Sequence, residues 1–180
     1  VSCGVPPFLW GLLTLLDRWS NTSFQQAFII VPATLIMARQ EHVHIITAGE
    51  NIQAAYANAI RDLQDITHTF IFADAGMYTN SGRDDVKIQA SKDATRVAVN
   101  KVREIAASLA IPVFLFHVNP QVPESVAKLL LKIQNDHPTA KYSFEITAGS
   151  KDLSIALFAH SFWMDGDAYY AFDQKGGVDP

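Results

Sequence analysis

The residues best placed to do chemistry form a repeated pair. Ile46-Thr47-Ala48-Gly49 and Ile146-Thr147-Ala148-Gly149 are the same tetrapeptide, 100 positions apart. Each follows an apolar run and opens a segment of helical periodicity. A glycine turn lets backbone come close to a bound group, the helix behind it carries amides without intrahelical partners, and threonine adds a hydroxyl. Those features together suit a phosphate. The second copy continues into Ser150 and Lys151, which brings a cation; the first continues into Glu50 and Asn51, and the Asn51 amide suits a base or ribose edge. The candidate ligand-binding set is therefore Thr47, Ala48, Gly49, Glu50, Asn51, Thr147, Ala148, Gly149, Ser150 and Lys151, joined by Asp74, which ends the second apolar run where an acidic residue meets a ribose hydroxyl. One such turn favours Thr and Gly without any ligand. Two copies on the pair of loops described below shift the balance to ligand binding.

Other chemistries find little support. The glycine-lysine-threonine ending of a Walker loop, the three-glycine dinucleotide fingerprint and a Gly-x-Ser-x-Gly elbow are all missing. Cys3 is the only cysteine, so no intramolecular disulfide or cysteine-based zinc cluster is possible, and a reducing, cytoplasmic setting is expected. The histidines at 42, 44, 68, 117, 137 and 160 have no zinc-hydrolase spacing, and neither a metal nor a cofactor is expected. Asp84-Asp85, with Asp74, could serve a small-molecule enzyme as acids or ligands, but at a helix start they favour the helix dipole instead. A net charge of −4, without a recognition-helix unit or basic stripe, predicts no direct DNA contact.

The elements that position these residues alternate. His42 to Gly49 reads as strand and tight turn, and Asn51 to Leu63 as a helix with Ile52, Ala55, Tyr56, Ala59, Ile60 and Leu63 on one face. Thr67 to Ala73 is a second strand, ending in a turn-rich loop over 74–83. Asp84 to Ala110 is a long amphipathic helix, and the unbroken apolar run from Pro112 to Val118 predicts a strand buried on both faces. A helix follows from Pro123, then a strand at Lys141 to Ile146, a strongly apolar helix at Asp152 to Trp163, and a strand at Asp167 to Phe172. Phe158 and Phe162, at helical spacing, read as core neighbours; Tyr78, in the loop, is the better aromatic for stacking on a base. Alternation of this kind defines an α/β fold, a Rossmann-like three-layer sandwich with a mainly parallel sheet. In the strand order 3-2-1-4-5 the two repeated turns flank the switch point, where ligands bind.

Residues 1–36 differ, with Asp17 and Arg18 as their only charges. The apolar runs at 8–16 and 28–37 fall short of the roughly 20 residues a membrane span needs, and no cationic leader precedes them. The chain therefore divides into an atypical segment, 1–36, with Met37 as a candidate natural start; a domain at 37–175; and a truncated linker at 176–180. With no effector module after the fifth strand, a fragment is expected.

Taken together, the Thr-Ala-Gly turn after the first strand, the long second helix, Phe144-Glu-Ile-Thr-Ala-Gly-Ser-Lys-Asp-Leu-Ser-Ile-Ala and Ala168-Tyr-Tyr-Ala-Phe-Asp resemble the CRISPR-associated Rossmann fold, or CARF, sensor domain. The resemblance covers residues 42 to 173. Many members carry Gly-Gly-Thr-Lys where this chain has Ala-Gly-Ser-Lys, so Ala148 and Ser150 depart from the pattern, although Ser150 keeps the hydroxyl. The resemblance implies a homodimer that binds a cyclic oligoadenylate across its twofold axis and signals to an effector module. It also implies that Thr147, Gly149, Ser150 and Lys151 hold messenger phosphate or ribose, with Thr47, Gly49, Glu50 and Asn51 lining the same cleft. Some members cleave their ligand, so a metal-independent ring nuclease is the alternative, as is an unrelated nucleotide-binding enzyme; catalytic residues stay unassigned.

Overall fold

The computed structural model describes residues 40–79, 82 and 84–170. The expectations for 1–36, for a start at Met37 and for 176–180 lie outside these residues. In chain order the elements are β1 (His42–Thr47), α1 (Ile52–Leu63), β2 (His68–Asp74), α2 (Ala75–Tyr78), α3 (Val86–Ser108), β3 (Val113–Val118), α4 (Pro123–Asp136), β4 (Lys141–Glu145), α5 (Lys151–Trp163) and β5 (Asp167–Tyr169). The sheet runs β3-β2-β1-β4-β5 with every pairing parallel, so the α/β, Rossmann-like reading holds.

Each face of the sheet is covered by a helix pair. Ile46 and Ile71 pack with Ile52 and Tyr56 of α1 and with Val99 and Val102 of α3. Val43, Ile45, Phe72 and Phe144 pack on the other face with Leu130 of α4 and Leu153 and Leu157 of α5. Burial of these side chains is the main force that holds the layers together. Local signals agree with it. Asp85 caps α3 by accepting from the Ile88 amide at 2.8 Å, and α4 opens on Pro123, where no donor is needed. Because β1 and β4 are neighbours in register, with Ile46 opposite Glu145, the two repeated turns leave the sheet side by side at its carboxyl end.

Three expectations are corrected. β3 is an edge strand among the described residues, paired to β2 alone, and Phe114 is 45% exposed. An unbroken apolar run does not by itself distinguish edge from centre. Phe158 and Phe162 are not core residues. Leu153, Leu157 and Ser161, four residues apart, occupy the sheet-facing side of α5, which leaves both phenylalanines exposed, edge-on to each other at 5.0 Å. The segment after β2 opens as α2 rather than as loop, because Asp74 accepts from the Gly76 amide at 2.9 Å and caps it.

Candidate functional site

The two repeated turns interlock. A Cβ placed on Gly49 would lie 1.4 Å from the carbonyl oxygen of Ala148, and one on Gly149 would lie 2.5 Å from Cβ of Thr47. Each glycine is thus required by the other turn, and neither has a positive φ. Thr47 is fully buried between them; its hydroxyl accepts from the Gly149 amide at 2.9 Å and donates to the Glu145 carbonyl at 3.4 Å. On the second turn, the amide of Thr147 donates to the Glu145 carboxylate at 3.0 Å, and its hydroxyl donates to the same oxygen. Burial pushes the Glu145 carboxyl above its ordinary range, against the pull of those donors.

Around this junction opens a cleft of about 280 Å³. Ala48, Gly49, Glu50, Asn51, Asp74, Thr147, Ala148, Gly149 and Ser150 line it, so nine predicted residues separated by up to 102 positions meet in one place. Thr47 does not line it, being sealed beneath the junction. Nor does Lys151, which is exposed and borders an adjoining groove with Ile155, Phe158 and Tyr170. Met77, Tyr78, Ser91 and Thr95 complete the cleft. Ser91 and Thr95 were not foreseen; small polar residues four apart, in register with the buried Ala98, were the available sign. The Tyr78 ring also packs against His117 at 4.9 Å.

The polar groups of the cleft divide by charge. Its acidic groups are Glu50, which accepts from the Ser91 hydroxyl, and Asp74, which accepts from the Ser150 hydroxyl at 2.9 Å. Among the described residues, no lysine or arginine lines the cleft. The donors lie at the helix starts. Ser150 and Asn51, the N-cap residues of α5 and α1, make no side-chain cap, in contrast to Asp85 on α3. The amides of Lys151, Asp152 and Leu153 have no partner among the described residues, so α5 presents a partly positive end beside the Lys151 side chain. Behind the cleft, buried Lys92 donates to Asp84 and to the Thr79 carbonyl, both at 2.8 Å, and ties those two residues to α3.

A second constellation has the outline of a catalytic triad. Asp65 meets His42 Nδ1 at 2.5 Å, His42 Nε2 meets Ser143 Oγ at 2.9 Å, and Ser143 Oγ meets His44 Nδ1 at 2.8 Å. Ser143, His42 and His44 are all buried and line none of the clefts described above, so no substrate reaches the hydroxyl. Its role is to satisfy polar side chains within the sheet. Burial, with a contribution from His42, lowers the pKa of His44 to about 3.

Fold and cleft define a parallel three-layer α/β domain with an open cleft at the switch point between β1 and β4, the place where folds of this kind take up ligands. The chain is similar in structure to Can2 from Sulfobacillus thermosulfidooxidans, solved in complex with cyclic tetra-adenylate, at TM-score 0.52 and 10% identity over 74% of this chain and 32% of that one. It is also similar to Enterococcus italicus Csm6 bound to cyclic hexa-2′-fluoro-hexa-dAMP, at TM-score 0.48 and 10% identity over 76% of this chain and 35% of that one. The chain thus spans about a third of the length of each. At this identity the first likeness establishes the fold. No family model matches the sequence, and no curated protein matches it. Among the described residues, no helix is long and apolar enough to cross a membrane.

Proposed function

We propose that this chain is a CARF-type sensor domain that binds a cyclic oligoadenylate where its two repeated turns meet. The observation that carries the reading is the interlock itself, which sets the uncapped start of α5 beside the carboxylates of Glu50 and Asp74 in one cleft. The sequence resemblance and the fold shared with Can2 support it. Phosphates belong at the lip, on the α5 amides and Lys151, because the cleft itself is acidic. Ribose hydroxyls and adenine amino groups belong inside, as donors to Glu50 and Asp74, with Asn51 at the entrance. Thr47 positions the second turn and does not touch the ligand.

A cleft of about 280 Å³ falls below the range of roughly 300–1,000 Å³ that holds a drug-sized ligand, and a ring of several nucleotides is larger still. A homodimer supplies the second half of the site, as a symmetric ring requires. The ring switches an effector module, the setting is the cytoplasm, and duplex DNA is not contacted by this domain. Binding rather than ring cleavage is favoured, since among the described residues no histidine lines the cleft to act as a base, and Glu50 and Asp74 are placed as acceptors for the ring.

Calorimetric titration with cyclic tri-, tetra- and hexa-adenylate tests this, with linear tetra-adenylate alongside. The expected result is tight binding of one ring size at one ring per two chains. Failure to bind any ring refutes the assignment, and one ring per chain removes the dimer. Linear products after incubation would convert the sensor into a ring nuclease.

A further inference from the structure

We propose that the amino-terminal rim of the sheet, opposite the cleft, holds a divalent transition-metal ion ligated by Glu41, His68 and His137, with zinc as the ion whose preferences the set meets. Glu41 precedes β1, His68 opens β2 and His137 closes α4; one ligand atom from each lies within 4.8 Å of the others. Spacings of 27 and 69 residues conceal such a group from any reading of sequence motifs. Two imidazoles and a carboxylate with an open fourth position are a recurrent zinc ligand set. His137 Nδ1 already faces Glu41 Oε2 at 2.9 Å, and the His68 and His137 rings lie 4.6 Å apart at 52°.

His68 is oriented for ligation. Thr67 Oγ1 donates to the His42 carbonyl at 3.1 Å and accepts from the His42 amide at 2.9 Å. Its proton is therefore spent, so His68 Nδ1, 3.0 Å away, is the donor in that contact and Nε2 keeps its lone pair. Zinc-binding imidazoles are held in this way by a second partner. The supports are firm. The Glu41 carbonyl accepts from the Lys141 amide at 2.8 Å, His68 pairs in register with Val43, and the His137 carbonyl accepts from the Tyr142 hydroxyl at 2.6 Å. Burial and the adjacent His137 lower the pKa of His68, consistent with a neutral imidazole. Tetrahedral zinc with bonds of about 2.1 Å needs ligand atoms about 3.4 Å apart, so binding draws together atoms that here lie within 4.8 Å of one another. Glu41 is half-exposed, so the ion has a path in and room for a water as fourth ligand. Ligation through His137 Nδ1 replaces its hydrogen bond to Glu41, and the imidazole proton then sits on Nε2.

The test is calorimetric titration of the tag-free chain with zinc chloride. One equivalent is expected to bind and to raise the thermal midpoint. E41Q and H68Q, checked for folding by circular dichroism, should each weaken binding at least about tenfold, while H160Q, on α5, leaves it unchanged. Should the variants fail to fold, cobalt(II) added to the parent chain replaces them: intense visible bands of four- or five-coordinate cobalt are expected. Absence of zinc binding, zinc affinity unchanged in both variants, or a cobalt spectrum like that of the hydrated ion would overturn the site and reduce the cluster to a His–Glu ion pair. None of these outcomes bears on the cyclic nucleotide.

Discussion

The two Ile-Thr-Ala-Gly turns share four residues and an end of the sheet, yet they do different work. In the first, Thr47 is sealed from solvent and spends its hydroxyl on the second turn, while Gly49 has backbone against the place where a side chain would be. In the second, Thr147 is only partly buried, Gly149 faces a side chain rather than backbone, and the α5 amides lie open. The first copy is the mould and the second is the surface it shapes. A repeated motif therefore need not mean a repeated function: each strand's neighbours decide which copy supports and which presents.

Substitution of the glycines separates the two roles most strongly. G49A places a methyl group into the Ala148 carbonyl, and backbone cannot step aside cheaply, so a loss at or above about 3 kcal/mol is expected in urea denaturation. G149A meets Cβ of buried Thr47 at 2.5 Å, a less severe overlap with a side chain rather than a carbonyl, and should cost less, about 2 kcal/mol. Equal losses would show that the turns do not interlock as described.

The strands that lead into the two turns extend the contrast. β1 brings His44 into the interior, where β4 brings Ser143 opposite it. Burial holds the His44 pKa near 3 in the folded chain against 6.5 in the unfolded one, so the unfolded state binds the extra proton. Stability is then full well above pH 6.5 and falls below it, with a slope approaching about 1.4 kcal/mol per pH unit midway between the two values. His68, also lowered, adds to the same window. Denaturation curves for parent and H44L between pH 7 and 5 isolate the His44 share: the variant should lose part of the slope, and an unchanged slope would place the acid sensitivity elsewhere.

Much of this architecture was legible beforehand, for identifiable reasons. The alternation of strand and helix periodicity set the order of elements, and the identical turns at the ends of the first and fourth strands pointed to one cleft. What was not legible depended on distance between side chains. Glycine in a turn reads as room for a ligand, but Gly49 and Gly149 give room to each other. An apolar helix reads as core, but α5 has more apolar faces than the sheet can cover, which leaves Trp163 at 85% exposure. The cluster of Glu41, His68 and His137, and the hydrogen-bonded chain from Asp65 to His44, join residues from separate elements and leave no local signature.

Loss of a single hydroxyl gives a finer contrast. T47V keeps the packing but leaves the Gly149 amide without its acceptor, for an expected cost of about 1–2 kcal/mol. T147V leaves the Glu145 carboxylate with the Thr147 amide still donating, so its stability loss should be smaller.

The smallest effect on stability, and the most direct on function, belongs to Lys151. It is exposed, borders the groove beside the cleft and lies at the positive end of α5, so K151A should change unfolding free energy by no more than about 0.5 kcal/mol. Its loss should nevertheless weaken binding of cyclic tetra-adenylate by roughly tenfold, since a cation on a phosphate is worth about one such factor. Salt dependence tells charge from shape. If Lys151 meets a phosphate, the slope of log affinity against log salt should flatten by about 0.7 in the variant. Weaker binding with an unchanged slope would mean that the side chain shapes the lip without pairing. Unchanged affinity would move the phosphates onto the α5 amides alone and leave the second turn to present backbone only.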